Sequence, residues 1–178
     1  IAITPDQDVT ASGQTYYIDE ITLAAAAPVV APPPPPPPPV STSCATSTEQ
    51  CVSFSEANAG VNPFEGLVVG EVITDPAEAT NKLLKMVKGP GSQPWAGATV
   101  YTSTATDGAK TLLTVPTVGL GSSKQVTLRA YSGAPVGTKV SLKLENALGA
   151  GFVFAEARTT KQNEWETLTF NFATPSAG

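Results

Sequence analysis

From residue 51 onward, short apolar runs alternate with clusters of Gly, Pro, Asn and Asp. In "TKVSLKLE", Val140, Leu142 and Leu144 alternate with Lys139, Ser141, Lys143 and Glu145. A period of two turns one row toward a core and the other toward water, the signature of a half-buried strand. Val126, Leu128 and Ala130 oppose Gln125, Thr127, Arg129 and Tyr131 in the same way, and Leu168, Phe170 and Phe172 form a third inward row. Nine segments are strand candidates: "CVSFS", "GLVVGEVIT", "NKLLKMVKG", "GATVYTS", "KTLLTV", "KQVTLRAYS", "TKVSLKLENA", "GFVFAEART" and "EWETLTFNF". Short strands with turn residues between them predict an all-β sandwich. Helix has little support, and only Asp75 to Thr80 in "DPAEATNKLL" is a candidate for one helical turn.

Two further strand patterns, "IAIT" and "TYYIDEITL", stand at the other end of the chain, joined by "PDQDVTASGQ". After them come eight consecutive prolines, Pro32 to Pro39. Each fixes φ near −65° and lacks an N–H, so the run predicts a polyproline II spacer about 25 Å long. The chain therefore divides into a strand pair at 1–24, a proline-rich linker at 25–50 and a β-sandwich domain at 51–178. The sandwich is expected to be of jelly-roll type, with its terminal strands side by side. After "WETLTFNFATPSAG" no further strand follows, and the N-terminal pair has the character of the missing one. Ile1 rather than Met opens the sequence, as in a processed chain or a segment of a longer one.

The order "WAGATV", "TLRAYSGAPVGTKVSLKLENA", "TTKQNEWETLTFNF" and "TYYIDEITL" resembles bacterial secreted β-sandwich repeats related to carbohydrate-binding modules, found attached to β-glucan-degrading enzymes and in large surface proteins. The resemblance holds over 51–178 plus 1–23 when the chain is read circularly. In that family the "TYY" strand closes the domain, and the acidic pair that accompanies it corresponds to Asp19 and Glu20. Residues 1–23 are then the end of one repeat and 51–178 the start of the next, or the segment complements a neighbouring copy. The remaining arrangement folds both strands back on their own chain. In the first two cases Ile1, Ile3, Tyr16, Tyr17, Ile18, Ile21 and Leu23 are the residues expected to join two sandwiches, by burying apolar side chains and pairing sheet edges. The resemblance also implies structural calcium, for which Asp19 and Glu56 are the candidate ligands.

Composition narrows the chemistry. Charged residues make up 14% of the 178, the net charge is −5, and no cluster of Lys or Arg offers the cationic face that nucleic acid requires. No apolar run is long enough to span a membrane. Histidine is absent, which excludes Ser-His-Asp and Cys-His catalysis, and no phosphate-binding glycine loop occurs. Glu145, Glu156, Glu164 and Glu166 fall on strand-like stretches where a solvated face explains them. A non-catalytic protein is expected.

Cys44 and Cys51, with six residues between them, predict a small disulfide ring and an oxidising, extracellular or cell-surface location. The Ser/Thr-rich "STSCATSTEQC" beside the prolines suits O-glycans, and there is no N-x-[ST] sequon. Trp95, Tyr101, Arg129, Tyr131 and Asn146 are candidates for sugar binding, since aromatic faces stack on pyranose rings while polar groups bond the hydroxyls. Trp165 has the parity opposite to Leu168 and is expected either to plug a corner of the sandwich, the favoured case, or to make an exposed contact. The expected function is a structural subunit or repeat of an extracellular fibre or surface filament, its partners copies of itself. The alternative is a carbohydrate-binding module of β-glucan type, with polysaccharide as partner.

Overall fold

The computed structural model describes residues 1–6, 13–25, 50–54, 59–102, 124–145, 152–172 and 176–177. The described residues form the strands β1 (Ala2–Pro5), β2 (Gln14–Ala25), β3 (Gln50–Val52), β4 (Ala59–Phe64), β5 (Val69–Thr74), β6 (Lys82–Lys88), β7 (Gly97–Thr102), β8 (Lys124–Ser132), β9 (Lys139–Glu145), β10 (Phe152–Arg158), β11 (Trp165–Asn171) and β12 (Ser176–Ala177), with no helix among them. Two antiparallel sheets result. The first runs β12-β10-β9-β1-β7-β4, and the second β11-β8-β2-β6-β5 with β3 on the far end of β2.

The three inward rows read from the sequence lie at the core. Val126, Leu128, Ala130, Leu168, Phe170, Phe172, Val140 and Leu142 are buried, and Leu144 packs against them. Ile3, Ala98 and Val100 of the first sheet and Ile18, Ile21, Leu84 and Met86 of the second complete the same core. Full burial stabilises by about 1.5–3 kcal/mol for each large apolar side chain, so this shared interior is the main force joining the sheets.

Both N-terminal strands occupy interior positions. β1 lies between β9 and β7, pairing Ala2–Pro5 with Lys143–Val140 on one side, and Ala2 and Ile3 with Thr99 and Ala98 on the other. β2 lies between β6 and β8, with a bulge between Ile18 and Ile21 that holds Asp19 and Glu20. The sequence leaves open whose sandwich receives this segment; in the single chain it is the chain's own.

Three local features depart from the sequence reading. Asp75 to Thr80 is not a helical turn but two linked turns. Glu78 N–H donates to Asp75 O (3.2 Å), Asn81 N–H donates to Glu78 O (3.0 Å), and Asp75 Oδ1 accepts from Ala77 N–H (2.8 Å), a side-chain bond that competes with helix. β4, "AGVNPF", is a strand although Asn62 and Pro63 signal a loop; it lies at the edge of its sheet, where a missing N–H is tolerated. β12 is too short to show a period. "KTLLTV" lies outside the described residues.

Candidate functional site

The segment Ile1–Ala25 meets the rest of the sandwich at two specialised positions. On β6, Leu84, Met86 and Lys88 share the inward parity, so an ammonium is carried into the interior at the end of the strand. Lys88 is fully buried, and its Nζ donates to Pro5 O (3.2 Å), Asp6 O (2.6 Å) and Pro94 O (2.5 Å). Its backbone carbonyl accepts from Gly13 N–H (2.6 Å). A charge this deep is tolerable only with its donors engaged, and three carbonyls match the three N–H groups of an ammonium. On β7, a Cβ at Gly97 would fall far inside van der Waals contact with the carbonyl oxygen of Ile3, so β1 can approach only a glycine there. A lysine at core parity in "KLLKMVK" is visible in the sequence, but the carbonyls that receive it are not.

Outward side chains form a row across the second sheet. Register aligns Trp165, Tyr131, Tyr17, Lys85 and Glu71 on five successive strands. Tyr17 and Tyr131 meet edge to face with ring centroids 5.8 Å apart, as do Tyr131 and Trp165. Arg129 lies 4.4 Å over the Trp165 ring and forms an ion pair with Asp19. Trp165 is thus a half-buried member of an outer aromatic row rather than a corner plug: its parity puts it on the outer face, where Tyr131 and Arg129 cover it.

Asp19 has no exposed side-chain surface, because the bulge turns it beneath Arg129 and Asn81. Asn81 Nδ2 donates to Asp19 Oδ1 and to Asp75 Oδ2, each at 3.3 Å. Burial raises the Asp19 carboxyl above its usual range, against the bonds from Asn81 and Arg129 that lower it. Glu20 is also raised, by burial and then by the charge of Asp19, while Arg129 opposes the shift. Its Oε1 is buried without a hydrogen-bond partner. Asp19 is thus engaged by protein groups, Glu56 lies outside the described residues, and no group of three acidic, His or Cys side chains suited to a metal occurs among the described residues.

A groove of ≈ 520 Å³ crosses the outer face of the first sheet. Its floor is made of small side chains, including Ala2 and Thr4 of β1, Thr99 and Ser141. Phe64 and Trp95 stand at one side, Phe152 and Phe154 at the other. Trp95 is 52% exposed, and Lys143 Nζ lies 4.1 Å over the Phe152 ring. Residues of the N-terminal segment are therefore part of the groove floor.

The sugar-binding candidates do not converge. Arg129 and Tyr131 belong to the row on the second sheet and Trp95 to the groove on the first, whereas Tyr101 is described only through its backbone pairing with Gly60, and Asn146 lies outside the described residues. Cys44 also lies outside them, and Cys51 and Leu23 are described through β-pairing alone. The residues of the groove that the sequence reading missed, Phe64, Phe152 and Phe154, carry a signal in hindsight: aromatics at outward parity on β10, and one closing β4. No helix among the described residues is long and apolar enough to cross a membrane. No family model matches the chain, and neither the curated proteins nor the solved structures include a match to it.

Proposed function

We propose that the protein is a non-catalytic, extracellular structural subunit or repeat. Its jelly-roll sandwich is joined to a neighbouring sandwich by residues 1–25. The observation that carries this reading is the interior position of β1 and β2, since withdrawing the segment would divide both sheets and open the core at Ile3, Tyr16, Ile18 and Ile21. The same contacts form whichever copy supplies the segment. Leu23 pairs with Gln50, which brings the two ends of 26–49 onto adjacent strands about 5 Å apart. Eight prolines in polyproline II span about 25 Å, while residues 26–31 and 40–49 together have a reach of about 54 Å, enough to return to the same sandwich or to pass on to a second one. Multi-angle light scattering of the purified chain across a range of concentrations tests this: linear oligomers are expected, and a monomer at every concentration would contradict it.

The groove favours a second reading, a β-glucan-type carbohydrate-binding surface on the same sandwich. Exposed Trp95 with the facing phenylalanines supplies ring-stacking surfaces, and Asn62, Thr99 and Ser141 supply hydroxyl partners. Affinity electrophoresis in β-glucan gels tests it, with retardation that is lost on Trp95→Ala as the supporting result. Since Ala2 and Thr4 line the groove, the two roles are compatible: a seated segment would complete the floor on which a sugar lies.

A further inference from the structure

We propose that Lys88 and Gly97 define a selective receiving slot for the segment of a second copy of this chain. This inference rests on the strand-exchange reading and names the residues that would recognise the incoming strands. Most of the segment interface is apolar burial and backbone pairing, which any strand of suitable pattern provides. Two contacts are different in kind. The ammonium of Lys88 has two of its carbonyl partners, Pro5 O and Asp6 O, on the segment and one, Pro94 O, on the body. With the segment withdrawn, these two bonds are lost to water, so only an incoming segment that presents both carbonyls offsets the desolvation of the ammonium as the slot fills. Gly97 adds a steric condition, because only the absence of a side chain there admits the carbonyl of Ile3.

The two conditions together set register. A slip of one residue would turn Ile1 and Ile3 to the outer face and move the carbonyls of Pro5 and Asp6 away from Lys88. Asp6 leaves β1 with φ 55°, and Gly13 enters β2 with φ 69°. Gly13 N–H then bonds Lys88 O, and the same residue holds the segment through its side chain and its backbone. Lys85, on the outward parity of the same strand, makes neither contact and serves as the control.

Hydrogen exchange on the full-length chain, combined with mixing of heavy- and light-isotope preparations followed by cross-linking, separates this assignment from the reading on which it rests. Lys88→Met is expected to raise exchange in residues 2–4 and 14–18 by about 10- to 100-fold, while β9 and β10 keep their protection and Lys85→Met changes neither. Gly97→Ala is expected to raise exchange in residues 2–4 preferentially. Unchanged protection of the segment in Lys88→Met, or a uniform loss over all strands, would overturn the slot assignment. Wild-type preparations are expected to yield mixed heavy–light cross-links through residues 1–25. Their absence would overturn exchange between copies, whatever Lys88→Met does to the protection of the segment.

Discussion

Asp19 and Glu20 sit side by side on the bulge of β2, and their burial makes stability depend on pH. Both carboxyls are raised in the folded protein above ordinary values of 3.8 and 4.5. A raised acid binds its proton more tightly in the folded state, so the stability it confers is complete below those values and is lost as pH climbs through the native ones. The melting temperature is expected to be higher near pH 4.5 than near pH 7, with a smaller difference in Glu20→Gln. A flat profile over that interval in the wild type would refute the assignment. Burial also separates the aromatics. Phe170→Ala, at 0% exposure, is expected to cost about 3–5 kcal/mol in urea titrations, whereas Trp95→Ala is expected to stay within about 0.5 kcal/mol of the wild type. That contrast would keep loss of glucan retardation in Trp95→Ala from being attributed to unfolding.

Among the strands, β2 makes the most consequential connection, because it bridges β6 and β8 while carrying the bulge. Ile21→Ala is expected to cost about 2–5 kcal/mol and to reduce amide protection in β8 as well as β2; an effect confined to β2 would show that the strand is not a structural bridge. Strands with clean alternation, such as β8, β9 and β11, were legible because one face meets a core and the other water. β4 was not, since its Asn and Pro are turn residues by local preference and strand residues only because an edge tolerates them. The Asp75–Thr80 turns escaped for a related reason: the carboxylate of Asp75 satisfies Ala77 N–H locally and ends the helical alternative.

For the molecule as a whole, the proposed assembly can be tested at the linker. Replacing Pro32–Pro39 by an octet of Gly and Ser would allow the chain to turn back easily, and is expected to shift light-scattering mass toward the monomer without lowering the melting temperature. An unchanged mass distribution would show that the prolines do not direct exchange. The groove and the slot share β1, so the same substitution also tests whether glucan binding depends on which copy supplies the floor.

The alternation of side chains was enough to specify a β-sandwich and most of its inward rows, since polarity at a period of two is a local property of the chain. It also exposed the N-terminal strands as elements displaced from the domain they complete. Which residues meet across the sandwich was decided only in three dimensions. The carbonyl cage of Lys88 joins residues 82 and 83 positions apart, the Asp19–Arg129 pair spans 110, and the groove collects side chains from both ends of the chain. Such contacts follow from strand order and register, which set distances between segments that no local pattern encodes.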